Sequence, residues 1–335
     1  MAEAAEPTMM TIGETTSSEA PLGVRIAGLA LPVIFLLFVL TFSVLQPNIF
    51  PTAAMARTIL RTESVAAILA IALIFPLVIG EFDVSIAAVL GLGAILVTGL
   101  PSLQGVPLVP AILLAIFACG AVGLINGLLI VKVGINALVA TLGMSVIVTG
   151  LVYWYTNGGV IYQNIPEELP ALAQRNVAGI PLPALFLAVI AAIAWYILEA
   201  TPLGRYLYAI GGSKEAARLS GINVDGLILL AFIVAGMLAG MAGILQAAQL
   251  GSGNPNIGPP FLLPAFAAAY LGATAFRINT FNVPGTVLAV FTVSVGITGL
   301  QLFGVDFFVA PIFQGVSLIL AVIAVRYLRR ERLVA

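Results

Sequence analysis

The chain alternates between long apolar segments and short polar breaks. Each apolar segment is near the roughly 20 residues that cross a bilayer as a helix, and none shows the strict alternation of a membrane β-strand. We therefore predict an all-α polytopic membrane protein with about ten transmembrane helices. The predicted spans are approximately Val24–Leu45, Ser64–Ile79, Val84–Leu100, Leu108–Val131, Ala137–Tyr155, Leu182–Leu198, Leu227–Leu250, Phe261–Ala275, Val283–Phe303 and Phe307–Tyr327.

The polar segments define the predicted domains. Residues 1–23 are acidic and rich in Ser and Thr, and they lack the pattern of a cleaved signal peptide, so we expect a disordered cytoplasmic tail. A transmembrane domain follows over 24–327, and 328–335 form a basic cytoplasmic tail. The second and eighth spans are short, and each is also consistent with a re-entrant or broken helix.

The basic residues of the loops predict the orientation. With the N-terminus in the cytoplasm, ten Lys and Arg residues lie inside and three lie outside. The inside set is Arg25, Lys132, Arg205, Lys214, Arg218, Arg277, Arg326, Arg329, Arg330 and Arg332, and the outside set is Arg57, Arg61 and Arg175. We therefore expect a multi-pass protein of the bacterial inner membrane, with both termini and the loop 200–226 in the cytoplasm.

Composition excludes several functions. Only 8% of the residues are charged, against about 25% in soluble proteins. The chain has no His and one Cys, Cys119, which removes the usual zinc and haem ligands and Ser–His or Cys–His catalysis. The net charge of −1 gives no basic surface for nucleic acid. We expect no cofactor, no metal site and no catalytic residues.

The two halves of the sequence look alike. The polar break at Gly80 is echoed at Gly251, and the segment at Gly123 is echoed at Gly296. The offset is five spans, an odd number, so corresponding spans cross the membrane in opposite directions. This predicts an inverted repeat of two five-helix halves, which is common in transporters. Chance similarity between Gly- and Ala-rich segments is the alternative.

The loop 200–226 carries a short, charged segment that favours a helix. Ser213 is suited to cap its N-terminus, Glu215 follows in the first turn, and Gly221 is suited to end it. Such a helix has only about two turns and is too short to be stable alone. It therefore either docks on a partner or lies solvated at the membrane interface.

The loop sequence GRYLYAIGGSKEAARLSGINV resembles the cytoplasmic loop of the permease subunits of ABC-type importers. The similarity is greatest to the permeases for ribose, xylose and galactose, within the branched-chain amino acid permease superfamily. The matching residues are Gly204, Arg205, Ala209, Ile210, Gly211, Gly212, Ala216, Ala217, Ser220, Gly221 and Ile222, while Ser213 replaces the usual Asn. The segments GEFDVSIAAV and GLINGLLIVKVG resemble further motifs of the same family.

This resemblance implies a coupling helix that sits in a groove of a separate ATPase subunit, with Ala216 and Ala217 facing that groove. The residues implied in coupling are Gly211, Gly212, Ser213, Glu215, Ala216, Ala217, Arg218 and Gly221. The chain itself has no phosphate-binding GxxxxGK[ST] motif. Further implied partners are a periplasmic sugar-binding protein, docking around 157–180, and a second permease chain in the same bilayer.

Several polar residues in or near the spans are candidates for the substrate path, because sugar hydroxyls need carboxylate and amide partners. They are Glu81, Asp83, Asn126, Asn136, Gln246, Asn254 and Gln301. Alternatively, Asp83 caps the third span and the amides join helices to one another.

Two alternative functions stay open. The same machinery could carry another small polar solute, such as a polyol, a nucleoside or a furanose-like signal. An ion-coupled secondary transporter would instead need an acid inside the membrane, and Glu81 and Asp83 are then the candidates.

Overall fold

The computed structural model describes residues 28–306 and 308–334. The predicted tail 1–23 and the start of the first predicted span lie outside these residues. The helices are α1 Ala30–Leu45, α2 Ala53–Val78, α3 Ile86–Gln104, α4 Leu108–Leu128, α5 Ala137–Thr156, α6 Glu168–Gln174, α7 Leu182–Ala200, α8 Pro202–Gly212, α9 Lys214–Leu219, α10 Val224–Leu250, α11 Leu262–Gly272, α12 Val283–Leu302 and α13 Val309–Val334. A small antiparallel hairpin joins β1 Asn176–Val177 to β2 Ile180–Pro181.

The architecture is helical, as predicted. Seven helices of the described chain are long and apolar enough to cross a membrane, namely α2, α3, α4 with its π-helical turn Leu129–Val133, α5, α7, α10 and α12. Three shorter apolar helices accompany them, Ala30–Leu45, Pro259–Gly272 and Val309–Ala324. The count of ten spans and the inverted repeat stay predictions.

Helix α10 is the centre of the bundle and packs against α2, α3 and α4. Glycines allow this approach, because a Cβ at Gly123 would lie 2.1 Å from the Phe232 carbonyl oxygen. A Cβ at Gly236 would lie 2.4 Å from the carbonyl oxygen of Cys119. The small residues of GLING and GMLAG therefore bring α4 and α10 into backbone contact, as such spacing predicts.

Helix α2 begins well before the predicted second span. Thr52 caps it by accepting a hydrogen bond from the Met55 amide at 3.2 Å, and the helix then runs through Glu63 into the apolar half. Pro76 lies inside the helix without ending it before Val78. The sequence analysis missed the first half because its Arg, Thr and Glu residues interrupt the apolar run.

The eighth predicted span forms the short helix α11, Leu262–Gly272, and an irregular segment precedes it. Before α11, the chain packs non-helically along α3, with Gly253 against Thr98 and Gly258 against the Ala87 carbonyl. A Cβ at either glycine would lie 2.1 Å from a neighbouring atom, so glycine is required for this close path. Whether this span crosses the membrane or re-enters it stays a prediction.

One end of the bundle, which we call the loop face, gathers the loop 200–226 and several helix ends. A Cβ at Gly211 of α8 would lie 1.9 Å from the Val78 carbonyl oxygen at the end of α2. The Tyr208 hydroxyl donates to the Phe281 carbonyl at 2.7 Å, and Arg277 pairs with Glu199 at the end of α7. The basic residues of the loop face therefore include four of the ten that are predicted to be cytoplasmic, Arg205, Lys214, Arg218 and Arg277.

Candidate functional site

Helix α8 lies along the loop face. Thr201 starts it by accepting a hydrogen bond from the Gly204 amide at 3.4 Å, and Pro202 occupies the first turn. The helix buries Gly204, Leu207 and Ile210, which recur every three residues and so share one side. The sequence analysis missed α8, although the Thr–Pro start is a signal for a helix at this position.

Helix α9 has the limits that its residues predict. The Ser213 hydroxyl accepts a hydrogen bond from the Ala216 amide at 3.2 Å. At the other end, Gly221 adopts φ +78°, and its amide donates to the Arg218 carbonyl at 3.0 Å. The Ile222 amide donates to the Ala217 carbonyl, also at 3.0 Å. Glycine is suited to this left-handed position because it has no Cβ.

The two alanines of α9 face in different directions. Ala217 is 4% exposed and packs into the core of this chain, whereas Ala216 is exposed. The expectation that Ala217 faces a partner is therefore wrong in this structure, because successive residues of a helix point about 100° apart. Glu215, Ala216 and Leu219 share the outward side, and Leu219 is 89% exposed. We call these three residues the outer face of α9.

Ion pairs tie α9 to the membrane helices. Lys214 pairs with Glu81 in the turn between α2 and α3, and the Glu81 side chain is only 12% exposed. Arg218 pairs with Asp225 at the start of α10 at 2.5 Å. With the contact of Gly211 on Val78, these bonds join α8 and α9 to the end of α2, to the turn before α3 and to the start of α10. Gly212 is exposed at the junction between α8 and α9.

The turn after Glu81 contains a buried series of hydrogen-bonded polar side chains. Asp83 accepts hydrogen bonds from the Ser85 amide at 2.9 Å and the Ser85 hydroxyl at 2.6 Å, and Asn126 of α4 donates to that hydroxyl at 2.8 Å. Burial raises the pKa of Asp83 to about 6, against the hydrogen bonds from Ser85. Asp83 lies two residues before Ser85, the N-cap of α3, so its roles as a cap and in the substrate path both stay predictions. Ser85 joins Asp83 to Asn126, a link that sequence spacing did not show.

The remaining path candidates lie apart from one another. Asn136 caps α5 through the Leu138 amide at 2.9 Å and lines a cavity of about 470 Å³ beside Glu81 and Lys214. Asn254 bends the chain after α10 by accepting from the Asn256 amide at 2.9 Å. Gln246 is half-buried on α10. The seven candidates therefore do not form one site, and whether they line the path stays a prediction.

Gln301 lines a second cavity, of about 540 Å³, between α2, α11, α12 and α13. The same cavity contains Glu63, which the sequence analysis did not consider. Glu63 directly precedes the predicted second span, and only the true start of α2 places it inside a helix. Thr58 and Thr62 of that helix half line the same cavity, recur four residues apart and are the signal that could have found Glu63.

Comparisons with known proteins agree with the resemblance of the loop. The family described as branched-chain amino acid transport system, permease component, matches residues 55–325. The chain is 31% identical to the ribose import permease protein RbsC of Escherichia coli K12 over 294 residues, covering 87% of this chain and 91% of the relative. It is 32% identical to the D-allose transport system permease protein AlsC of the same strain, covering 80% and 83%.

A third relative is the autoinducer 2 import system permease protein LsrD of Photorhabdus laumondii, 30% identical with 88% of this chain and 89% of the relative covered. No solved structure matches the chain significantly. The chain belongs to the permease-component family of branched-chain amino acid transport systems. It is a multi-pass membrane protein, and the relatives named here are permease proteins for ribose import, D-allose transport and autoinducer 2 import.

Proposed function

We propose that this family member is the transmembrane subunit of an ABC importer that carries a monosaccharide, a pentose or hexose, into the cytoplasm. A periplasmic binding protein would deliver the sugar, and ATP hydrolysis by a separate ATPase subunit would switch the permease between outward- and inward-facing states. The ribose and allose permeases named above support a sugar as the solute.

The observation that carries the proposal is the outer face of α9. Leu219 and Ala216 are exposed on a helix of six residues, which is too short to be stable on its own and presents an apolar side chain to the outside. Short side chains such as Ala216 permit the close approach of a partner. Glu215 borders this face, so the docked partner would meet one carboxylate beside an apolar contact.

The ion pairs that join α9 to the membrane helices would transmit the movement of an ATPase into the membrane. Lys214 would pull on Glu81, and Glu81 is two residues from the buried chain of Asp83, Ser85 and Asn126. Arg218 would pull on Asp225 and hence on the central helix α10. A displacement of α9 would thus tilt α3 and α10 together, because the two helices are in direct contact.

We further propose the assembly and membrane arrangement. A second permease chain would complete the translocation path, and the binding protein would dock on 157–180, at the end opposite the loop face. The chain would cross the inner membrane ten times if three further segments also cross it: α1, α13, and the segment from Gly253 to the end of α11. Both termini would then lie in the cytoplasm, within an inverted repeat of two five-helix halves.

A second candidate solute is supported by the similarity to the autoinducer 2 permease. The same coupling machinery would then carry a small polar solute other than a common sugar. Both candidates need the loop face in the cytoplasm.

The orientation is tested by cysteine labelling. The single native cysteine, Cys119, is fully buried, so it gives little background. We expect a membrane-impermeant maleimide to label Leu219→Cys only in inside-out vesicles. Tyr162→Cys, 68% exposed at the opposite end, is the matched control and should react in intact spheroplasts. Labelling of Leu219→Cys from outside would refute the proposed coupling.

A further inference from the structure

The cavity that contains Glu63 has the size and lining of a small-molecule site. Its volume of about 540 Å³ lies within the roughly 300–1,000 Å³ of typical ligand pockets. Its polar lining comprises Thr58, Thr62, Glu63, Ser294, Thr298, Gln301 and Gln314, and apolar side chains of α2, α11 and α12 supply the rest of the wall.

Glu63 lies deep within the bundle. It is about 15 Å along α2 from Ala53, at a rise of about 1.5 Å per residue, and it lines the cavity together with Ser294 in the middle of α12. A carboxylate at such depth is costly and is usually functional. The described residues show no ion pair to Glu63, so a structural salt bridge does not account for it.

The other polar groups are available to a ligand. Within the described chain, the side chains of Thr298, Gln301 and Gln314 make no hydrogen bond, although they line the same cavity as Glu63. The Thr58 hydroxyl donates to the Ala54 carbonyl at 3.0 Å and can still accept. The cavity therefore offers one carboxylate acceptor together with amide donors and acceptors, which suits hydroxyl groups that both donate and accept.

The cavity also lies on the side from which a solute would arrive. Its lining includes Met55 near the start of α2 and Leu302 at the end of α12. Both positions are at the end of the bundle opposite the loop face, because α2 ends at the loop face with Val78 and α12 begins there. A solute released at that end would therefore reach Glu63 without crossing the bundle.

We infer that the cavity between α2, α11, α12 and α13 is the binding site for the transported solute, a neutral polyhydroxylated molecule whose hydroxyls donate to the Glu63 carboxylate. Gln301 and Gln314 hydrogen-bond to its other hydroxyls. An anionic solute is disfavoured because it would lie against Glu63. This inference rests on the proposed function and adds the location of the site and the chemistry of its ligand.

The first test uses the complex of the full chain with its ATPase and binding protein in proteoliposomes. Radiolabelled D-ribose, D-allose and D-xylose are supplied, and the best-transported sugar is then used. We expect Glu63→Ala to lower uptake of that sugar at least tenfold and Glu63→Gln to lower it less, because the amide oxygen still accepts one hydrogen bond. Asp306→Asn, a carboxylate change outside the cavity, should leave uptake unchanged.

The outcomes separate the two claims. Wild-type proteoliposomes that take up none of these sugars would contradict the proposed function. If the wild type takes up a sugar and the Glu63→Ala variant takes it up equally well, this inference is overturned, while the proposed function still stands.

A second measurement covers the case in which Glu63→Ala does not fold. Thr298→Cys places a thiol in the cavity while Glu63 is intact. We expect the transported sugar to slow maleimide labelling of this thiol several-fold, and sarcosine of equal osmolality to have no effect. Absence of protection by the sugar, or equal protection by sarcosine, would overturn the inference.

Discussion

Replacing Ala216 with arginine is expected to abolish the stimulation of ATP hydrolysis by the sugar-loaded binding protein. Ala216 is on the outer face of α9, where a long charged side chain would hold the ATPase away from Leu219. The loss should be tenfold or more, which corresponds to about 1.4 kcal/mol of docking free energy. The helix itself should persist, because arginine is a good helix former and Ser213 caps through the backbone amide of residue 216.

The matched control is Ala209→Arg, the same change at an exposed position of α8. We expect this variant to retain most of the stimulation, since α8 supports α9 but does not carry its outer face. Membrane insertion of both variants is checked by their recovery in the membrane fraction. Normal stimulation of the Ala216→Arg complex would show that the outer face of α9 does not contact the ATPase.

Reversing one charge in the pair of Lys214 and Glu81 is expected to uncouple the permease from ATP hydrolysis. Exchanging both charges is expected to restore the coupling. Glu81→Lys or Lys214→Glu places two like charges together, with position 81 mostly buried and position 214 partly exposed. Leaving a mostly buried charge without its partner costs more free energy than breaking an exposed ion pair. We expect the stimulated rate of ATP hydrolysis to fall roughly fivefold in each single variant, which is a typical effect for residues in direct contact.

The double variant should recover to within about twofold of the wild type, because contact pairs show non-additive effects of this kind. Lys132→Glu serves as the control, since Lys132 is an exposed cation of the loop face without an ion pair among the described residues. Strictly additive losses in the double variant would show that Lys214 and Glu81 do not act as a pair.

Local signals explain which parts of the site could be predicted. Ser213 and Gly221 act on the backbone of α9 within a few residues, so the sequence alone placed both ends of that helix. The direction in which Ala217 points depends on how α9 lies on the bundle, and no local signal encodes it. The pairing of Lys214 with Glu81 joins residues 133 positions apart and could be found only from the fold.

The sequence analysis considered polar residues in or near the apolar runs, and it passed over Glu63, which directly precedes the predicted second span. The first half of α2 is polar because it lines a cavity, so its composition resembles a loop although its backbone is helical. In contrast, the glycines of GLING and GMLAG, four residues apart, favour close helix packing, and they bring α4 against α10. The polar lining of the cavity therefore obscured the helical pattern of α2, whereas the glycine spacing of α4 and α10 agrees with their packing in the core.

The central claim is that ATP hydrolysis, transmitted through α9, drives solute import. The most direct measurement is uptake of radiolabelled D-ribose, D-allose and D-xylose by proteoliposomes that contain this chain, its ATPase and the loaded binding protein. We predict uptake of at least one sugar that requires ATP and persists when valinomycin and a protonophore collapse the ion gradients. Uptake that proceeds without ATP and stops when the gradients collapse would contradict the account and favour an ion-coupled transporter.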